Sequence, residues 1–245
     1  MLMDELEETL KNTPKAKMIY VIPNFQNPTG RTWSLERRKK LLELATKYDL
    51  PILEDNAYGE VRFEGERVPS IKSMDIEGRV IYLGSFSKIL SPGLRVGWAC
   101  ADKEVILKYE LVKNGLDLQS AELAQMQVDG FLDENDLDDH IAKINKVYKE
   151  RRDLMIKTID EEFPKEAKYF YPEGGMFVWV NLPSHVNTRE LLVKAIEKKV
   201  GFVPGGSFYP NGDCESSMRL NFSTMENDKI VEGIKILGSI LKENI

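Results

Sequence analysis

The stretch GSFSKILSPGLRVGW, residues 84–98, contains side chains that could carry out chemistry. Ser85 and Ser87 place two hydroxyls directly before the amine of Lys88, and Arg95 follows that lysine by seven residues. A lysine amine can form a covalent bond with a carbonyl carbon, and hydroxyls together with a guanidinium suit the oxygens of a phosphate group. The alternative is a solvated surface loop that carries an isolated lysine. Other parts of the sequence are needed to distinguish a binding site from a surface loop.

Charge and hydrophobic pattern exclude several classes of protein. The net charge is 34 − 40 = −6 and the pI is about 5.2, and we find no basic stripe of the kind that nucleic-acid binding requires. No apolar run approaches the ~18 residues of a membrane-spanning helix. The acidic, amphipathic segment MLMDELEETLK is unlike a signal peptide. The sequence therefore predicts a cytoplasmic protein that binds neither nucleic acid nor membrane.

Cysteine and histidine are scarce, which limits the chemistry further. Cys100 and Cys214 are far apart and form no CxxC motif, so neither a disulfide framework nor a zinc site is indicated. The two histidines, His140 and His185, each have polar or charged neighbours, so a histidine-based triad is poorly supported. We expect no metal site. In an enzyme with this composition the acid–base group is expected not to be histidine, which draws attention to Lys88.

The first half of the chain alternates apolar runs with helical patterns. Residues 34–49 have a helical pattern, with Ser34 placed to cap the helix N-terminus. Strands are predicted at residues 18–23, 51–55, 79–85 and 95–101. Strand, helix, strand is the order of a mainly parallel sheet with crossover helices.

The second half has the pattern of a smaller α+β unit. A helical region at about 103–131 precedes a second helix at 137–163, which is long for one compact domain and could connect two domains. Short strands, a helix that begins near residue 188 and a terminal helix from about residue 226 follow. We therefore predict a large domain over residues 1–137 and a small C-terminal domain, with the connecting helix, over 138–245. Trp98, Phe177 and Trp179 are expected in the hydrophobic core.

Polar residues follow the predicted strands at the point where each strand ends. In open α/β sheets ligands bind beyond the carboxyl ends of the strands. Ordinary roles also exist: an NPTG turn, a helix cap or a half-buried aromatic. The residues at these ends are Asn27 after the first strand, Asp55 and Tyr58 after the second, and Ser85, Ser87 and Lys88 after the third. Their order and placement together favour one site.

Five segments taken together make the chain resemble a known family. They are PNFQNPTG, DNAYGE, GSFSKILSPGLRVGW, PEGGMFVWV and MRLNF. In this order they are similar to the fold-type I, pyridoxal-phosphate-dependent aminotransferases of class I/II. That group includes aminoadipate and kynurenine aminotransferases and the aminotransferase-like domain of MocR-type regulators. The resemblance covers essentially the whole chain and implies an α/β fold with a mainly parallel sheet in the large domain and a smaller α+β C-terminal domain.

The resemblance implies catalytic roles for three residues. Lys88 would form the Schiff base with the cofactor aldehyde and then move the Cα proton of the substrate. Asp55 would pair with the pyridine nitrogen and keep the ring protonated, which makes the ring an electron sink. Tyr58, together with Asn27, would hydrogen-bond the ring's 3-oxygen.

The resemblance also implies which residues bind anionic groups. Ser85, Ser87 and Arg95 would hold the cofactor phosphate. Arg219 would bind the substrate α-carboxylate with a bidentate pair, and Asn27 would line the same substrate site. Gly174 and Gly175 would let the backbone approach the site, although a tight turn explains them nearly as well.

The resemblance departs from the family at the N-terminus. Family members carry a further N-terminal segment that supplies early strands, a phosphate-binding loop and an aromatic residue that stacks on the cofactor ring. Nothing before NPTG matches it, so the chain is expected to be a fragment or a shortened form, incomplete at its N-terminus. An uncovered sheet edge and apolar face would then favour poor solubility or a tight oligomer. A homodimer is expected for the intact form.

Three functions stay open at this point. The first is transfer of an amino group from an L-amino acid to a 2-oxo acid, with 2-oxoglutarate as the expected acceptor. The second is β-elimination, which related fold-type I proteins perform with the same lysine and aspartate. The third is a non-catalytic, effector-binding domain like that of MocR regulators, or an inactive fragment. The sequence leaves the side chain of the amino donor undetermined.

Overall fold

The computed structural model describes residues 1–210, 212 and 214–245 of the chain. These residues form two compact units. The first unit takes Met1–Asn24, Thr32–Glu60 and Gly65–Ile141, and the second takes Phe25–Arg31, Val61–Glu64 and Ala142–Ile245. The second unit thus includes two short segments that the predicted boundary at residue 137 assigns to the large domain.

The first unit contains a four-stranded sheet and the helices of the N-terminal half. The helices are α1 (Met3–Asn12), α2 (Leu35–Lys47), α3 (Lys103–Leu116) and α4 (Glu122–Glu134); the strands are β1 (Ile19–Val21), β2 (Ile52–Asp55), β3 (Val80–Ser85) and β4 (Gly97–Cys100). The strands follow chain order in the sheet; β1, β2 and β3 are parallel and β4 runs antiparallel to β3. The mainly parallel sheet predicted from the sequence is therefore present.

Helix α2 begins where the sequence predicts. Ser34 has extended backbone dihedrals and its side chain accepts a hydrogen bond from the backbone N–H of Arg37 at 3.3 Å, which satisfies one of the free donors of the first turn. Leu41, Leu44 and Ala45 on the helix are buried. They pack in one cluster with Ile52 from β2 and other residues of the unit, so one face of the sheet lies on this core.

The second unit is an antiparallel sheet with helices. Its strands are β5 (Lys168–Tyr169), β6 (Phe177–Asn181), β7 (Val203–Pro204) and β8 (Ser217–Asn221), in the order β5-β6-β8-β7. Its helices are α6 (Thr188–Glu197), α7 (Asn227–Asn244) and the greater part of α5 (Leu137–Glu162). Buried residues of these helices and strands form a continuous hydrophobic cluster that makes this unit's core.

Two details differ from the sequence-based expectations. The helical region at 103–131 is two helices, because the backbone between them includes Leu118 in the left-handed region at φ +62°. Trp98 is 43% exposed, so its prediction as a core residue is wrong; it lies on β4 and its ring packs 5.0 Å from that of Phe86. Phe177 and Trp179 are buried, as predicted.

None of the helices within the described part of the chain is both long enough and apolar enough to cross a lipid bilayer.

Candidate active site

The ends of β2 and β3 bring the predicted site residues of the first unit into one region. Asp55 is the last residue of β2 and lies opposite Leu83 of β3. Ser85 ends β3, and the turn that follows it carries Ser87 and Lys88. Because neighbouring parallel strands end at the same sheet edge, the carboxylate, hydroxyls and amine emerge there together.

Both oxygens of the Asp55 carboxylate have a hydrogen-bond donor. Oδ2 accepts from the phenol of Tyr20 at 2.8 Å, and Oδ1 accepts from the backbone N–H of Ala57 at 3.2 Å. Sequence reasoning missed Tyr20. The two-residue alternation of strand side chains could have indicated it. Tyr20 pairs with Leu53, and the side chains of Leu53 and Asp55 point to the same face of the sheet.

Lys88 is half-buried in the turn after β3. Its Nζ lies 5.9 Å from the centroid of the Tyr58 ring, and Tyr58 is buried. The turn is closed by the backbone N–H of Leu90, which donates to the Phe86 carbonyl at 2.8 Å. The amine therefore lies near the Tyr58 ring, on a turn that has its own backbone hydrogen bond.

Ser85, Ser87 and Arg95 form a polar cluster. The backbone N–H of Ser87 donates to Ser85 Oγ at 3.1 Å, and Arg95 Nη1 donates to Ser87 Oγ and to the Pro92 carbonyl, each at 3.2 Å. Arg95 has left-handed backbone dihedrals at φ +56°, and its side chain is exposed. Two hydroxyls and a planar guanidinium at hydrogen-bonding distance have the donor chemistry of an anion site.

A polar chain of hydrogen bonds supports the ends of β1 and β2. The fully buried Arg38 donates to Asn24 Oδ1 at 2.6 Å. Asn24 donates to Asn56 Oδ1 at 2.5 Å, and Asn56 donates to the Tyr82 phenol at 2.6 Å. Burial raises the pKa of Tyr82, so this phenol stays protonated at neutral pH. The chain fixes Asn56, the residue next to Asp55.

Asn27 and Arg219 belong to the second unit, where they are in direct contact. Arg219 on β8 donates through Nη1 to Asn27 Oδ1 at 2.6 Å. The guanidinium carbon lies 4.3 Å from the centroid of the Phe177 ring and 5.2 Å from that of Phe208. Two aromatic rings thus restrict the plane of the guanidinium. Sequence reasoning missed Phe208, which lies in a 3₁₀ turn at Gly205–Phe208 without a distinctive motif.

The segment that carries Asn27 packs closely on Gly174 and Gly175. A Cβ at Gly174 would overlap the Val61 carbonyl oxygen and the Phe25 ring, and one at Gly175 would lie 2.7 Å from Phe25 Cβ. Gly175 also has φ +75°, a backbone conformation that favours glycine. The two glycines therefore allow the close packing of Phe25 against them.

Gly174→Ala is expected to lower the free energy of unfolding by roughly 1–3 kcal/mol, because the added methyl meets backbone and a fully buried ring. Chemical denaturation measures the loss. Gly201→Ala is the matched control, because no atom outside its immediate chain neighbours lies within 4 Å of a Cβ at that position. Equal midpoints for the two variants would show that the segment does not pack as described.

A comparison of the sequence with known protein families identifies the family of the chain. The profile described as Aminotransferase class I and II matches residues 1–237. The chain belongs to this aminotransferase family. It is 47% identical over 245 residues to the aromatic-amino-acid aminotransferase 1 of Thermococcus litoralis, an alignment that covers 100% of this chain and 59% of that protein.

Solved aminotransferase structures share the fold. The Pyrococcus horikoshii kynurenine aminotransferase, in complex with PMP, has a TM-score of 0.95 at 46% identity, covering 99% of this chain and 61% of that one. The α-aminoadipate aminotransferase of Thermus thermophilus, complexed with N-(5'-phosphopyridoxyl)-L-leucine, has a TM-score of 0.92 at 42% identity. The match covers 98% of this chain and 62% of that one. The fold is therefore the fold-type I α/β fold that the sequence predicts, and the cofactor of this aminotransferase family is pyridoxal phosphate. The chain spans about three fifths of the length of the relatives it matches.

Proposed function

We propose that the chain serves as a pyridoxal-phosphate-dependent aminotransferase that moves an amino group from an L-amino acid to a 2-oxo acid, with 2-oxoglutarate as acceptor. One observation carries the proposal: the ends of the neighbouring parallel strands β2 and β3 carry an oriented carboxylate, a lysine amine over the Tyr58 ring and a hydroxyl–guanidinium cluster. Membership of the aminotransferase family supports it. A cytoplasmic homodimer is part of the same proposal.

The residues of the first unit fit the chemical groups of pyridoxal phosphate. When bound, this cofactor supplies an aldehyde that takes up the amino group and a ring that withdraws electrons from the substrate Cα. Ser85, Ser87 and Arg95 offer the donors that a phosphate needs. Asp55, with both oxygens already oriented, would hold the ring nitrogen, and Tyr58 would donate to the 3-oxygen beside Lys88. Each group of the cofactor thus has a matching residue.

Lys88 would act first as the covalent attachment point and then as the base. Its Nζ would take the proton from the substrate Cα and deliver it to the carbon of the cofactor's aldehyde group. Its half-buried position beside the Tyr58 ring limits the water around the amine. We propose Lys88, Asp55 and Tyr58 as the catalytic residues.

Arg219 would bind the substrate α-carboxylate. Its guanidinium can donate two parallel hydrogen bonds to a carboxylate. The rings of Phe177 and Phe208 restrict its plane, and Asn27 Oδ1 occupies one of its donors, so the fork has a defined direction before substrate arrives. Asn27 is therefore proposed to contribute to substrate binding, and its hydrogen bond to the cofactor's 3-oxygen is proposed on the family resemblance alone.

An absorbance titration with pyridoxal phosphate, followed by addition of amino acids, tests the proposal. We expect a visible band from the lysine-bound cofactor, and loss of that band with glutamate, an aromatic amino acid or 2-aminoadipate. Product analysis after addition of 2-oxoglutarate should then find glutamate from one of the other donors. A folded protein that gives no band would contradict the proposal.

The same titration separates the other two functions. Release of ammonia and pyruvate from a cysteine-type substrate would instead indicate a β-lyase. A band that no amino acid depletes would indicate a domain that binds the cofactor without turnover.

A further inference from the structure

Tyr20 lies on the sheet face that presents Asp55. It is the central residue of β1 and is half-exposed, while its neighbours Ile19 and Val21 are buried on the opposite face. Its phenol reaches across the sheet to donate to Asp55 Oδ2 at 2.8 Å. A phenol in this position is not needed for the packing of the strand, because the core side of β1 is formed by the other two residues.

We propose that Tyr20 is a positioning residue that fixes the Asp55 carboxylate and shares its negative charge. The inference rests on the proposed function, in which Asp55 faces the ring nitrogen of the cofactor. Tyr20 holds Oδ2 and the backbone N–H of Ala57 holds Oδ1, so the carboxylate has one orientation. Tyr20 would then control how strongly that carboxylate retains the proton on the ring nitrogen.

The phenol of Tyr20 is a permanent donor in the neutral pH range. Burial raises its pKa, and the hydrogen bond and charge of Asp55 raise it further, because an ionised phenol beside a carboxylate is unfavourable. Tyr58 is the other titratable group that raises the pKa of Tyr20, and Lys88 lies over the Tyr58 ring. Below its raised pKa, Tyr20 carries no charge and acts on Asp55 only through the hydrogen bond.

A titration of tyrosinate absorbance in the cofactor-free protein tests the contact itself. The difference between the wild-type protein and Tyr20→Phe isolates the ionisation of Tyr20. We expect Tyr20 to ionise at a lower pH when Asp55 is replaced by asparagine, because the carboxylate no longer opposes the phenolate. An unchanged midpoint would overturn the inference without involving the cofactor.

A pH titration of the visible cofactor band tests the role. Without the phenol, Asp55 keeps its full charge toward the ring nitrogen and would retain the proton there more firmly. A more completely protonated ring would draw electrons more strongly from the nitrogen that Lys88 contributes. We therefore expect the midpoint of the band in Tyr20→Phe to move to lower pH by a few tenths of a unit or more. Tyr169→Phe is the matched control, because its phenol also donates to a carboxylate, that of Asp160 at 2.6 Å, and belongs to the second unit.

The outcomes distinguish this inference from the proposed function. A wild-type protein without any band would overturn the proposed function and, with it, the role of Tyr20. A normal band whose midpoint is the same, or higher, in Tyr20→Phe would overturn only the role of Tyr20. A shift of equal size in Tyr169→Phe would show a general effect of losing a phenol and would likewise overturn it.

Discussion

Lys88→Ala is expected to remove the visible cofactor band and to lower the rate of amino transfer by at least on the order of 10²- to 10⁴-fold, the contribution of one positioned acid–base group. The loss is large because one amine serves both as the covalent attachment point and as the base at the substrate Cα. The turn after β3 holds that amine 5.9 Å from the Tyr58 ring centroid. Absorbance spectra and single-turnover kinetics measure the two effects.

Two further variants show whether the amine or merely the charge of Lys88 matters. Lys88→Arg keeps a positive charge but cannot supply a neutral amine, so we expect the same loss. Lys103→Ala removes an exposed lysine at the start of α3 and should leave band and rate unchanged. A Lys88→Ala protein with the wild-type band would mean that another lysine forms the bond.

Arg38→Leu is expected to lower the free energy of unfolding by about 3–5 kcal/mol, the typical cost of breaking a buried charged network. Arg38 is fully buried and donates to Asn24 and to four backbone carbonyls, those of Pro23, Trp33, Val68 and Pro69. Leucine leaves these acceptors without their donor. Urea denaturation measures the change, with Arg37→Leu, a half-exposed neighbour on α2, as the control.

The loss caused by Arg38→Leu should also depend on pH. Burial raises the pKa of the Glu54 carboxyl, and the Arg38 charge opposes that shift, so removing Arg38 raises the pKa of Glu54 further. A carboxyl with a raised pKa destabilises the folded state once the pH rises through that pKa. We therefore expect a larger difference from wild type at about pH 8 than at about pH 5. A pH-independent difference would place Glu54 outside the effect of Arg38.

Sequence patterns predicted the elements and most of the candidate site for identifiable physical reasons. The alternation of apolar runs and helical patterns located β1 to β4 and α2, and the Ser34 cap marked a helix start. The rule that ligands bind beyond the carboxyl ends of parallel strands grouped Asp55, Ser85 and Lys88, because each follows a recognisable apolar run. These features depend on local sequence or on general sheet geometry.

Other features depend on contacts between distant segments, which one sequence does not reveal. Arg38 lies in the basic run RRKK, which is typical of a solvated helix face, and some of the acceptors that explain its burial, the carbonyls of residues 68 and 69, are distant in the sequence. Tyr20 contacts Asp55 through a sheet register that no local motif encodes. The assignment of residues 25–31 to the second unit likewise follows from packing on Gly174 and Gly175.

The close packing of Phe25 on Gly174 has a consequence for how this sequence can diverge. A methyl at residue 174 would overlap the Phe25 ring as well as the Val61 carbonyl oxygen, so part of the cost of a side chain there depends on the residue at position 25. The effects of substitutions at the two positions should therefore not add. Loss of the ring at position 25 would remove one of the two overlaps and leave the one with the Val61 carbonyl oxygen. Over evolutionary time a side chain at position 174 is therefore expected to cost less stability once position 25 has lost its ring.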